Sequence, residues 1–143
     1  MVTETARKFG HPQTLIANYE HWSVLFRMQQ VTLGSLVLVA NGEEERFSDL
    51  GPAAFAELGS VIGDIEAALA KTFAYEKINY LMLMMVDPHV HFHVIPRYSS
   101  ERSACGLTVV DAGWPKTPAL GEFAAPSQDQ AQELIDLIKS NWR

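Results

Sequence analysis

The chain has 143 residues, 11 Lys+Arg and 17 Asp+Glu, for a formal charge of −6 with neutral histidines. That length fits one domain with its own core, and a composition 48% hydrophobic and 20% charged excludes a disordered chain. The acidic balance, with no cluster of Lys or Arg, argues against polymeric nucleic acid but leaves a small anionic substrate open, because such a molecule answers to the local field.

The first ten residues are polar and are expected to form a flexible end with at most one short turn of helix. Leu15-Ile16-Ala17 and Trp22 to Phe26 read as short strands, separated by a turn at Asn18 to His21. Leu33 to Val39 has the composition of a buried strand, and Asn41-Gly42 with three following glutamates reads as a solvated loop.

Gly51-Pro52 opens a helical pattern, since proline's missing N–H would be unpaired in the first turn anyway. Phe55, Leu58, Ile62, Ile65 and Leu69 recur at three- and four-residue spacings and predict the face that packs on a sheet. Asn79 to Val86 reads as a strand covered on both faces, with Met82, Met84 and Met85 filling the core. After Asp87-Pro88, His89 to Tyr98 alternates strictly, so two sequential strands with a tight connection are expected.

Residues 99–143 read as a C-terminal extension packed on the same domain. It holds one strand, Leu107 to Val110, and a terminal helix that starts at Ser127 with Gln130 in a capping-box position. Leu134, Leu137 and Ile138 form the apolar stripe of that helix. The longest apolar run, Leu81 to Val86, is far below the ~20 residues of a membrane-spanning helix, so no membrane association is expected. One cysteine, Cys105, and no charged leader before an apolar segment favour the cytoplasm.

The chemically conspicuous stretch is His89-Val90-His91-Phe92-His93-Val94-Ile95-Pro96-Arg97. On a strand, alternate residues share a face, so three imidazoles line one surface while Val90, Phe92 and Val94 anchor the other. A single histidine on a half-exposed strand is usually structural; three in alternation, among five in the chain, indicate a site. A His-x-His pair begins a Zn²⁺ site, but only His11 and His21 remain to complete it and no acidic or cysteine ligand is suitably spaced. Without a metal, an imidazole nitrogen attacks phosphorus while a neighbour steadies the oxygens or protonates the leaving group. Arg97, an even number of residues from His93, starts on the same side and is expected to meet an anion.

This stretch resembles the signature of the histidine triad (HIT) family of nucleotide hydrolases and transferases, His-x-His-x-His followed by two apolar residues. The resemblance spans about Leu15 to Tyr98, with a HIT-like core at residues 11–98: Leu33-Gly34-Ser35 resembles the family's glycine-led strand, and Phe47-Ser48-Asp49-Leu50 the entry to its long helix. It implies an α+β fold, an antiparallel sheet with a long helix and a C-terminal helix, often as a homodimer.

The same resemblance implies hydrolysis of a nucleoside phosphate ester, anhydride or phosphoramidate, a dinucleoside polyphosphate among the substrates. His91 would be the nucleophile that becomes phosphorylated, oriented by the main-chain carbonyl of His89. His93 would contact phosphate oxygens, and the His89 side chain would belong to the surrounding proton network. No cofactor is required, and Mg²⁺ enters only with the substrate phosphates. The alternatives are a nucleotidyl transferase and a nucleotide-binding regulatory protein with little turnover.

The chain departs from the family pattern at three places. Met85-Val86-Asp87-Pro88 stands where a Gly-Gln loop commonly precedes the triad, Ser35 where a histidine often supports the site, and Arg27 where an Asp or Asn commonly meets the ribose. Arg27, Ser35 and Arg97 are the expected substrate-binding residues, and Arg27, with donors and no acceptor, suits a phosphate or carboxylate.

Overall fold

The computed structural model describes residues 2–143. Its elements are α1 (Glu4–Lys8), β1 (Leu15–Asn18), β2 (Trp22–Phe26), β3 (Leu36–Ala40), α2 (Pro52–Phe73), β4 (Lys77–Leu81), β5 (His91–Arg97), β6 (Arg102–Ala104), β7 (Leu107–Val109) and α3 (Gln128–Ser140). Five strands form one antiparallel sheet in the order β1-β2-β3-β5-β4, and β6 with β7 form a separate hairpin. No helix among the described residues is long and apolar enough to cross a membrane.

Period-two alternation divides the sheet into two faces. Trp22, Val24 and Phe26 of β2, Leu36 and Leu38 of β3 and Val94 of β5 enter one core with Val61, Ile65 and Leu69 of α2 and Leu134, Ile135 and Ile138 of α3. The extension thus contributes its helix to the principal core. Leu25, Val37 and Val39 face the other way and form a smaller cluster with Ala6 of α1, against which Val2, Phe9 and Leu15 pack. β3 is buried along its whole length because helical segments cover both of its faces.

Four segments differ from the sequence expectation. The first ten residues are docked: Thr3 caps α1 by accepting the Ala6 N–H at 3.1 Å, and Thr3, Thr5 and Ala6 are buried. β3 starts at Leu36 because Gly34 turns the chain with φ +89°, where its N–H donates to Gln30 Oε1 and a Cβ would meet the Phe73 ring at 2.8 Å.

β4 covers Lys77–Leu81 and stops there, and Met84, three residues on, takes a left-handed φ of +49°, outside the extended region. Residues 82–90 are consequently a loop rather than a tight connection. Met82 and Met84 pack against the core, but Met85 is 87% and Val86 81% exposed, so an unbroken apolar run here does not mark a buried strand. Lastly, Phe55 of α2 lies outside the packed face and leans on Phe47, with ring centroids 5.4 Å apart.

Candidate active site

β5 lies between β3 and β4, and its register with β3 places His93 opposite Val37 and His91 opposite Val39. Paired residues share a sheet face, so both histidines stand on the face that α1 covers, while Val94 enters the opposite core and Phe92 packs against it. Val90 is also buried in that core; its carbonyl accepts the Ala40 N–H at 3.0 Å and its own N–H donates to Glu44 O at 3.2 Å. His89 precedes the strand rather than belonging to it.

The surface expected to be lined by the imidazoles is largely covered. His91 is 2% and His93 8% exposed, because Phe9, just beyond α1, sets its ring 5.7 Å from each imidazole centroid. The two imidazoles stand edge to face at 5.2 Å. α1 reaches the loop as well: Thr5 Oγ1 shares a 3.0 Å hydrogen bond with His89 Nδ1, and Lys8 Nζ pairs with Asp87 at 2.8 Å.

His91 Nδ1 lies 2.7 Å from the carbonyl oxygen of His89. A carbonyl only accepts, so Nδ1 carries the proton and, in the neutral ring, Nε2 keeps its lone pair. Among the described residues, the buried side-chain nitrogens without a partner are Arg27 Nε and His93 Nδ1. Burial, and then the neighbouring Arg27 and His91, push the His93 pKa down to about 4, so its ring is neutral near pH 7.

Arg27 borders a cavity of about 260 Å³ with Lys8, Phe9, Gly10, Met28 and Gln29. Its Nη1 donates to the Gln29 carbonyl at 2.6 Å, and burial lowers its pKa. Of the three expected substrate-binding residues, it alone lines a cavity beside the histidines. Ser35 is wholly buried in the turn before β3, where its hydroxyl donates to Thr32 O at 2.8 Å and accepts the Thr32 N–H. Arg97 is held away from any anion in solution: Nε and Nη2 donate to the Asp111 carboxylate at 2.7 and 3.0 Å, and Nη1 donates to Asn79 Oδ1.

Sequence reasoning missed Thr5, Lys8, Phe9 and Asp87. Only Phe9, a lone large apolar residue before a glycine in a polar segment, carried any signal. His11 and His21 line two other cavities, of about 340 and 390 Å³, that contain none of the triad. Among the described residues, no three His, Cys, Asp or Glu side chains converge as a metal-binding group.

The HIT domain family model matches residues 9–100. A histidine triad protein from Sinorhizobium meliloti superposes with a TM-score of 0.77 at 21% identity, over 99% of this chain and 96% of that one. One from Bradyrhizobium japonicum gives 0.75 at 19% identity over 100% and 98%. A hypothetical histidine triad nucleotide-binding protein from Sulfolobus tokodaii gives 0.66 at 16%, over 90% and 82%. No curated protein sequence matches this chain.

Proposed function

The chain belongs to the HIT domain family, and on that premise we propose that it is a metal-independent nucleotide phosphohydrolase working through a phosphorylated His91. Family membership supports a nucleotide hydrolase, transferase or binding function. The observation that supports the finer reading is the 2.7 Å contact between His91 Nδ1 and His89 O, which leaves Nε2 as the nucleophilic nitrogen.

In this reading Nε2 attacks the phosphorus, forming a P–N bond as the bond to the leaving group breaks. The leaving atom takes that bond's electron pair and a proton from water. The His89 carbonyl supports the positive charge that then develops on the ring. Water next attacks phosphorus, the P–N bond breaks, and its electrons return to Nε2 while the water's proton is released; an acceptor hydroxyl in place of water makes the reaction a transfer. Neutral His93 offers one N–H to the phosphate oxygens, and His89, held by Thr5, joins the proton network. No cofactor is needed, and Mg²⁺ accompanies only the substrate phosphates.

A homodimer belongs to this reading, supported by β4 as an edge strand with unpaired backbone groups on one side. So does a cytoplasmic setting, supported by a lone free cysteine.

A second reading, nucleotide binding with little turnover, is favoured by the Phe9 ring packed over His91 and His93. A turnover screen over dinucleoside polyphosphates, nucleoside phosphoramidates, adenylylated metabolites and nucleotide sugars, with a His91→Ala control and exhaustive chelation, separates the two. Turnover that survives chelation and disappears in the variant supports hydrolysis. Saturable nucleotide binding with no turnover supports the second reading, and activity restored only by Zn²⁺ overturns metal independence.

A further inference from the structure

Arg27 is a buried cation without a counter-charge. It is 8% exposed, its Nε has no hydrogen-bond partner, and among the described residues no carboxylate lies within ion-pair distance of it. Removing a charge from water is costly unless it is paired, so such a group is retained where something else answers it. The other buried arginine of this protein, Arg97, has its carboxylate in Asp111.

The cavity beside Arg27 has the same imbalance. Its six lining residues, Lys8, Phe9, Gly10, Arg27, Met28 and Gln29, include two cations and no acid, in a chain whose formal charge is −6. Lys8 is already paired with Asp87, which leaves the guanidinium of Arg27 as the unmatched charge.

We propose that this cavity is an anion subsite, and that the substrate is a nucleotide carrying a second phosphate on its sugar, at the 2′ or 3′ position, which Arg27 binds. The proposal rests on the reading of the triad as a nucleotide site. Phe9 is common to the cavity and to both histidines, so a nucleotide with its 5′-phosphate at His91 extends its nucleoside part along that ring into the cavity. The bases are uncharged at neutral pH, so an anionic group within the nucleoside part sits on the sugar. A planar guanidinium with a free N–H matches phosphate oxygens, and the bond is charge-assisted. The reacting phosphorus remains with the histidines, and Arg27 acts on binding and selection.

The test is equilibrium binding by calorimetry of adenosine 5′-monophosphate, adenosine 2′,5′-bisphosphate, adenosine 3′,5′-bisphosphate and adenosine 5′-triphosphate to the full chain, to Arg27→Gln and to His91→Ala. The expected result is that one bisphosphate binds the native chain at least about tenfold more tightly than the monophosphate. That preference disappears in Arg27→Gln and persists in His91→Ala, and the better isomer identifies the position of the second phosphate. A ratio of affinities is independent of the fraction of variant that folds, so a destabilised Arg27→Gln still reports.

Equal affinity of the native chain for the monophosphate and both bisphosphates overturns the proposal while leaving the nucleotide site standing. A triphosphate preference lost in Arg27→Gln, with no bisphosphate preference, also overturns it and moves Arg27 to the phosphate chain. Failure of all four compounds to bind overturns the proposal together with the nucleotide reading on which it rests.

Discussion

Asp111, in the extension, receives two hydrogen bonds from Arg97 at 2.7 and 3.0 Å and is nearly as buried as its partner. The same carboxylate accepts the Tyr98 N–H at 3.1 Å, so it closes the end of β5 opposite His91. Stripping a cation this deep of the carboxylate it is paired with is strongly destabilising.

Asp111→Asn therefore leaves the Arg97 charge buried and uncompensated, and is expected to cost about 3–5 kcal/mol in urea denaturation. The double variant Arg97→Met/Asp111→Leu is expected to recover most of that loss, because it removes both charges at once. A single variant as stable as the native chain would show the pair to be dispensable.

Thr5→Val keeps the shape of the side chain and deletes its hydrogen bond to His89. Losing one such bond is worth about 1 kcal/mol, so kcat is expected to fall roughly threefold to tenfold. KM should stay nearly constant if His89 acts only on the proton network. Thr5→Ser, which restores the hydroxyl, is expected to return the rate, whereas a simple packing role would leave Thr5→Ser as impaired as Thr5→Val.

His93 binds a proton more weakly folded than unfolded, with a folded pKa near 4 against an ordinary value near 6.5. Between those values the unfolded chain holds more protons, so the folded state loses stability as pH falls through this window, by as much as about 3 kcal/mol. In His93→Gln the part of the acid-sensitivity lying between pH 6.5 and 4 is expected to shrink. Denaturation midpoints across that range check it, and identical pH curves for the two proteins would contradict it.

His91→Ala is expected to lower kcat/KM by at least about 10³-fold while nucleotide affinity changes little, since the ring would act on the bond being broken. Rapid quenching without acid preserves the acid-labile phosphoramidate and should trap it on the native chain alone. An active His91→Ala protein would remove His91 as the nucleophile.

Much of this arrangement was legible because it depends on periodicity. Alternation on β2, β3 and β5 separates the core side chains from His91 and His93 without reference to the rest of the chain. The C-terminal helix is equally local: Ser127 Oγ accepts the Gln130 N–H and Gln130 Oε1 accepts the Ser127 N–H, as their spacing predicts. Met82 to Val86 misled because an apolar run has no period to distinguish a sandwiched strand from a loop. Thr5 and Asp111 were illegible, and Phe9 showed only as a lone apolar side chain without a destination, because each meets the triad strand or the loop before it through tertiary packing, Thr5 across 84 positions, and no local pattern encodes such a meeting. Arg97 misled for the same reason, since parity along a strand gives a side and not a partner.

The docking of α1 separates the recognisable unit from the packed one. A fragment trimmed to the matched residues 9–100 would carry every histidine of the triad, yet it would lack Thr5 for His89, Lys8 for Asp87 and Asp111 for Arg97. Its signature would read as intact while the first imidazole swung free and the strand's far end held a bare cation. For this chain, the contacts that hold the triad strand and the loop before it reach beyond the boundaries of resemblance, on both sides.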